Sequence, residues 1–252
     1  TGLDARKFVA CRTNKDKDVL AVFNPAAALV DTLKHVGDFQ FSRDGSKLAY
    51  VLKKEKKDSS TVSAVVFADL SRWTSGKFEK DTIATGAKVY KSLVFDDTAR
   101  LFAFAASKDS AESKSFSVFC AEITYPKKAR KASTAPKPRL ELREVFTEGT
   151  MINANPGVFN VSVTEDGKRL SGEELGTSMQ SWTVNENSGL FFSKKGSRLF
   201  TGIGPITPKK DTSIVDFEHP ELDIWNWDAI HTPAQQKLNN NKILSKTYPA
   251  VI

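Results

Sequence analysis

Short runs in which apolar residues alternate with polar or small ones follow one another along nearly the whole chain, and each run ends in a cluster of turn-forming residues. Alternation with a period of two marks strands on a pleated, partly buried surface, whereas the 3.6-residue period of an amphipathic helix recurs in no long stretch. The pattern predicts an all-β chain. Its clearest unit is FQFSRDGSKLAYVL, residues 39 to 52. Phe39 and Phe41 end one strand, Ser42 to Ser46 form a polar turn in which Gly45 can take positive φ, and Lys47 to Leu52 alternate again as a returning strand.

The unit recurs. LVFDDTARLFAFAAS at 93 to 107 sets Phe95, Asp96, Asp97 and Leu101 where the first copy has Phe41, Ser42, Arg43 and Lys47 or Leu48, with Ala99 in place of the glycine. LFFSKKGSRLFTGIG at 190 to 204 restores the full form in Phe192, Ser193, Gly196, Ser197, Arg198 and Leu199. VSVTEDGKRLSGEE at 161 to 174 is a looser copy that keeps Asp166, Gly167 and Leu170. Marked by the leucine after the turn, the copies stand at Leu48, Leu101, Leu170 and Leu199, at intervals of 53, 69 and 29 residues. The last interval is too short for a four-stranded unit of roughly 40 to 50 residues, so either Leu170 or Leu199 belongs to a hairpin outside the series. Between the copies lie further strand candidates rich in β-formers: VLAVFNP (19 to 25), TVSAVVFADL (61 to 70), SFSVFCAEIT (115 to 124) and LDIWNWD (222 to 228).

An inner hairpin followed by outer strands is the order of a β-propeller blade, a sheet that buries its faces on its neighbours and therefore comes in arrays. A β-sandwich with similar turns is the competing architecture, and four copies of one turn favour the propeller. The expected fold is an all-β propeller, or an incomplete arc of one, with about four blades of antiparallel sheet in a single domain over residues 1-252. Residues 1-35 are expected to make a partial or closing blade, 36-84 a blade, 88-146 a blade with a basic insertion at 126-139, and 150-252 the remaining blades. NNNK at 239 to 242 reads as a polar loop before a last strand, KTYPAVI. The apolar end at Val251 and Ile252 suits a fragment of a longer chain, because natural sheets usually blunt such an edge.

Bulk properties remove several function classes. At 252 residues the chain can bury a full-sized core without disulfides or metals. Cys11 and Cys120 sit in apolar strand-like runs without metal-ligand spacing and read as small buried hydrophobes, although sequence separation neither establishes nor excludes a disulfide. No run approaches the roughly 20 apolar residues of a membrane span, so no membrane insertion is expected. The formal charge of +7 permits nucleic-acid binding, but the 37 basic and 30 acidic residues are largely interspersed. PKKARKASTAPKPR at 126 to 139 is the exception, with six basic residues, no acidic ones and no aromatic to stack on a base. It reads as a solvated loop, and no nucleic-acid partner is expected.

The segments FQFSRDGSKLAYVLKKEKKDSSTVSAVVFADL and LFFSKKGSRLFTGIGPITPKKDTSIVDFEHPELDIWNWDAIHTPAQQ, with the final TYPAVI, resemble the propeller region of prolyl-oligopeptidase-family serine peptidases. The likeness is to the large dipeptidyl-aminopeptidase-like members of the Bacteroidetes. It covers residues 36 to 252, is patchy between 125 and 185, and is carried most specifically by Gly202 to Gln236. The resemblance implies a non-catalytic propeller that gates peptide access to an α/β-hydrolase domain placed after it in the same parent chain. It also implies an extracytoplasmic compartment, periplasmic or secreted, and a peptide substrate.

The residues agree with a non-catalytic role. A hydrolase would show its serine as G-x-S-x-G, and the nearest approach, Gly176 to Gln180 with Ser178 at its centre, lacks the second glycine. His35, His219 and His231 have no alternating strand and helix pattern around them, so no Ser-His-Asp triad and no catalytic residue is expected. Asp216, Glu218 and His219, within an acidic run from Asp211 to Asp223, are candidate divalent-metal ligands. Their spacing is not that of a calcium loop, and a solvated loop paired with Lys209 and Lys210 is the favoured reading; no cofactor is expected. Trp225 and Trp227 alternate on one strand face and are candidates for substrate or partner contact, against the commoner role of packing between blades. Glu173 and Glu174 lack the helical context of the acidic pair with which dipeptidyl peptidases hold a free amine, and that role is not carried over. The alternative from another class is a stand-alone TolB-like propeller that binds a protein or a glycan.

Overall fold

A computed structural model of the chain describes residues 9–12, 18–24, 29–53, 63–74, 77–108, 115–126, 137–147, 152–154, 180–205 and 231–252. The first sheet is a three-stranded antiparallel meander of β1 (Val9–Arg12), β2 (Leu20–Asn24) and β3 (Leu29–Leu33). The second is a four-stranded meander of β4 (Val36–Phe41), β5 (Lys47–Leu52), β6 (Ala64–Thr74) and β7 (Lys77–Thr85). The third repeats that order with β8 (Val89–Phe95), β9 (Leu101–Ser107), β10 (Ser117–Thr124) and β11 (Arg139–Phe146). The fourth holds β12 (Ile152–Ala154), β13 (Gln180–Thr183), β14 (Leu190–Phe192), β15 (Leu199–Pro205) and β16 (Tyr248–Val251). In it Thr201 of β15 faces Leu190 of β14 on one side and Ala250 of β16 on the other.

How the sheets bury their residues decides between propeller and sandwich. In a two-layer sandwich each strand would show one dry face and one wet face. Here β5 is buried at five successive residues, Lys47 to Val51, and β9 at six, Phe102 to Ser107. The two faces go to different neighbours. Leu48 and Tyr50 of β5 pack with Val66 and Ala68 of β6 on Leu20, Val22 and Leu33 of the first sheet. Ala49 and Val51, with Val65 and Phe67, pack the other way on Tyr90, Leu93, Phe102 and Phe104 of the third sheet. Ala103 and Ala105, which alternate with those phenylalanines, pack with Val118 on Trp182, Val184, Leu199 and Ile203 of the fourth. Three cores thus separate four sheets in a row, with the small residues of β9 opposite the bulky Trp182. The chain is an array of blades, an all-β propeller fold.

The recurring turn has one geometry in three copies. In each, the first turn residue both donates its N–H to and lies level with the residue five positions on: Ser42 to the carbonyl of Lys47, Asp96 to that of Leu101, Ser193 to that of Arg198. The fourth residue then donates back to the first, from Gly45, Ala99 and Gly196, all at positive φ of 69°, 55° and 69°. A side-chain oxygen at the first position accepts the returning N–H as well: Ser42 Oγ from Lys47, Asp96 Oδ1 from Leu101, Ser193 Oγ from Arg198. That is why this position takes Ser or Asp, whose short side chains reach the backbone of their own turn.

Strand pairing corrects one marker. Phe41 faces Leu48, Phe95 faces Phe102 and Phe192 faces Leu199, so the counterpart of Leu48 in the second copy is Phe102 and not Leu101. Leu199 lies on the inner hairpin of the fourth sheet; Leu170 lies outside the described residues.

A second correction concerns NNNK. It belongs to α1 (Pro233–Leu244), a helix without an apolar stripe. Thr232 caps it: its Oγ1 accepts the N–H of Gln235, and Gln235 Oε1 accepts the N–H of Thr232, with Pro233 at the first helical position. Cys120 is a free, half-buried thiol, held above its usual pKa by burial and then by the charges of Asp96 and Glu122.

Candidate functional site

The inner strands β4, β8 and β14 lie side by side, so each sheet has a turn end and an opposite end. At the turn end, successive turns touch. Arg43 pairs with Asp97 of the next turn, and a Cβ on Gly196 of the third turn would stand 3.2 Å from Asp96 Oδ2. Asp96 is buried, and its carboxylate accepts from the N–H groups of Thr98, Arg100 and Leu101 and from the Thr98 hydroxyl. Burial pushes its pKa up, but these hydrogen bonds outweigh burial and hold it below the ordinary aspartate value. Asp44 behaves alike, burial raising it and Ser42 and Ser46 lowering it further. These acids are occupied in shaping turns.

At the opposite end a cleft of about 440 Å³ opens between the second and third sheets. It is lined by Gly37 and Asp38 of β4, Val51 and Leu52 of β5, Lys53, Ser63, Lys88, and Val89 and Tyr90 of β8. The floor is apolar. Tyr90 leans on Phe104 with ring centroids 6.0 Å apart and accepts the N–H of Ala87 on its hydroxyl at 3.2 Å, and burial raises its pKa. The rim is charged. Lys53 crosses Gly37 so closely that a Cβ there would lie 3.1 Å from its Cγ and Cε, and its Nζ meets Asp18 Oδ1 at 2.7 Å. An apolar floor with Lys53, Lys88 and Asp38 around it suits a short extended segment with an apolar side chain down and polar groups out. Among the described residues its lining holds Ser63, Lys53, Lys88 and Asp38 as polar groups and no histidine or cysteine.

Between the third and fourth sheets lies a clasp that no sequence motif announces. Lys91 of β8 donates to the carbonyl of Asn185 at 2.7 Å and sits 3.8 Å from the centre of the Phe116 ring. Burial lowers its pKa to about 8, against a smaller upward pull from Glu186. Ser92, at positive φ of 56°, donates to the carbonyl of Ser188, and Phe116 donates its N–H to Val184. Lys91 follows the alternation of β8 onto the face it shares with Val89 and its partner Ala105, and the ladder bulges only after it, between Lys91 and Val94.

Trp225 and Trp227, and Asp216, Glu218 and His219, all fall outside the described residues, as do Glu173, Glu174 and Ser178. Among the described residues no cluster of three or more His, Cys, Asp or Glu could hold a metal ion, and no helix is long and apolar enough to cross a membrane. Of the basic insertion, Lys137 is described and lies 3.8 Å from Glu79 of the neighbouring sheet.

No family model and no curated protein matches the chain. Among solved structures it is similar to the β-propeller domain of the trilobed protease from Pyrococcus furiosus, at 13% identity and a TM-score of 0.31, covering 78% of this chain and 74% of that one. It is also similar to the tricorn protease, at 13% identity and a TM-score of 0.38 over 79% of this chain and 24% of that one. A third is the acylaminoacyl peptidase of Pyrococcus horikoshii, at 11% identity and a TM-score of 0.31 over 81% of this chain and 34% of that one. The chain thus spans about a third or less of the length of the last two. The propeller assignment rests on the chain's own two-faced sheets and repeated turns.

Proposed function

We propose that this chain is the non-catalytic propeller of a prolyl-oligopeptidase-like serine peptidase, and that it admits peptides to a hydrolase domain of the same parent chain. The observation that carries this reading is the row of inner strands with a cleft at one end, apolar below and charged at the rim. Such a cleft takes an extended peptide and leaves the chemistry to another domain. The sequence resemblance through Gly202 to Gln236 supplies the kind of domain. The candidate contact residues Trp225 and Trp227 belong to that segment, and an extracytoplasmic site belongs to the same reading.

The test compares the natural gene product with and without residues 1 to 252, using a short chromogenic aminoacyl peptide and a folded protein as substrates. The gating reading expects a fluorophosphonate-reactive serine outside these residues, and loss of discrimination against the folded protein when they are removed. A natural product that carries no reactive serine overturns it. The second reading, a stand-alone propeller that binds a protein or glycan, is favoured by the cleft lying wholly within this chain. It would then be supported by peptide or glycan binding that Lys88→Glu abolishes.

A further inference from the structure

The gap between the second and third sheets and the gap between the third and fourth are built from equivalent positions, and the first stands open where the second is filled. Counted back from the turn anchors Ser42 and Asp96, Gly37 of β4 holds the place of Lys91 of β8, five residues before each. Lys88 stands eight residues before Asp96, as Asn185 stands eight before Ser193. On the third strands Ala68 faces Leu48 as Ala121 faces Phe102, and five residues earlier come Ser63 and Phe116. Lys91, Asn185 and Phe116 are the members of the clasp, its ammonium 3.8 Å from the ring centre and 2.7 Å from the carbonyl. Gly37, Lys88 and Ser63 all line the cleft. Lys53 passes over Gly37 on its way to Asp18 and so restores an aliphatic stem there, but Ser63 restores no ring. The cleft is the position of the clasp with its aromatic member left out.

We propose that this cleft is a pocket for one aromatic side chain of an extended peptide, with Gly37 and Ser63 setting that preference and Lys88 supplying a cation over the ring. The inference rests on the reading of the cleft as a peptide site, and it names the residue the peptide must carry. Three observations carry it. The next gap shows what this geometry holds when it is filled, a phenyl ring beneath an ammonium. The floor suits a ring and not a cationic side chain: Tyr90 and Val51 form it with Phe104 behind, and Val89 stands seven residues before its anchor where Glu186, the acid beside Lys91, stands seven before Ser193. The charges of the rim point the same way. Lys53 is held by Asp18 at 2.7 Å, and Asp38 Oδ1 accepts the N–H of Phe39 at 2.9 Å. Among the described residues no ion pair or hydrogen bond engages the Lys88 ammonium. A free ammonium at the mouth attracts the negative face of an aromatic ring and repels a basic side chain. The connection from Lys53 to Ser63, KEKKDSSTV, contains no aromatic residue that could supply the ring itself.

The experiment is titration calorimetry of the 252-residue chain with four blocked pentapeptides, alanine throughout except for a central phenylalanine, leucine, lysine or alanine. The phenylalanyl peptide is expected to bind about tenfold or more tightly than the alanyl one, the effect of burying one ring. Ser63→Phe, which copies Phe116 into the cleft, is expected to reduce it to the affinity of the alanyl peptide. Lys88→Gln is expected to weaken the phenylalanyl peptide about fivefold and to leave the alanyl one unchanged. An unchanged preference for phenylalanine in either variant overturns the proposal. Equal binding of all four peptides, or a preference for the leucyl or lysyl one, overturns it while leaving the cleft a peptide site. Binding of none of the four overturns both the proposal and the reading of the cleft as a peptide site. If Ser63→Phe loses its β spectrum in circular dichroism, Ser63→Leu takes its place with the same outcomes.

Discussion

Arg43 and Asp97 occupy the same position in two successive turns, each directly after the residue that anchors its turn, and their side chains meet at 2.6 Å. The pair joins neighbouring blades at equivalent points, and its weight is geometric more than energetic. With side chains 72% and 41% exposed, it gains little over hydration. A double-mutant cycle through Arg43→Ala and Asp97→Ala should give a coupling of about 1 kcal/mol or less, falling as salt is raised. Urea denaturation at two ionic strengths measures it.

The anchors of the turns should matter far more. Asp96 is buried and satisfies three backbone N–H groups, so Asp96→Ala strands them and should lower stability by about 2–4 kcal/mol. Asp96→Ser should cost less, because Ser42 and Ser193 hold the same place in their turns with one hydroxyl each. The pKa of Asp96 is depressed on folding, so its contribution is complete above its unfolded value of about 4 and is lost as pH falls through the folded value. The stability gap between the natural chain and Asp96→Ser should therefore narrow in acid, as followed by denaturation from pH 7 down to pH 3.

Gly45 and Gly196 share a φ of 69° but differ in surroundings. A Cβ on Gly45 meets nothing within 4 Å, whereas one on Gly196 meets Asp96 Oδ2 at 3.2 Å and Leu101 Cδ1 at 3.6 Å. Gly45→Ala should cost about 1 kcal/mol for the left-handed backbone alone, a conformation that Ala99 already accepts. Gly196→Ala should cost more, and the difference between the two melting temperatures reports how tightly the third turn presses on the second.

Lys91 gives the array an alkaline dependence. Its folded pKa of about 8 lies below the unfolded value of about 10.4, so between the two the unfolded chain binds more protons. Stability should rise as pH climbs from about 8 toward 10, because the buried ammonium is relieved of its charge. Lys91→Met should flatten that rise while the hydrogen bond to Asn185 is lost at every pH. Thermal melts across this range separate the two effects.

What could be read from the sequence was what is encoded locally. The turn at Ser42 to Ser46 specifies its own geometry through one hydroxyl and one glycine, and the same chemistry made its copies at Asp96 and Ser193 recognisable 54 and 151 residues later. The one-residue slip at Leu101 arose because both Leu101 and Phe102 are apolar, and only pairing with Phe95 shows which stands opposite. The helix was missed because PAQQKLNNNKIL has no apolar period; its signal was the Thr232, Pro233 and Gln235 cap. The cleft and the Lys91 clasp were not legible at all. Val51 meets Tyr90, and Lys91 meets Asn185, through stacking of whole sheets across long separations, and a lysine in a strand carries no mark of the blade it will face.

Stacking is also what the most direct measurement addresses. With Cys11 and Cys120 replaced by alanine, paired cysteines are introduced at 43 and 97, in successive turns, or at 43 and 194, the same positions in the first and third turns. Each pair is treated with a short bifunctional thiol reagent, and intramolecular cross-linking is followed by mass spectrometry. A row of blades predicts rapid linkage for 43 with 97 and none for 43 with 194, because the second turn stands between them. Linkage of 43 to 194 at a rate equal to that of 43 to 97 would contradict the array.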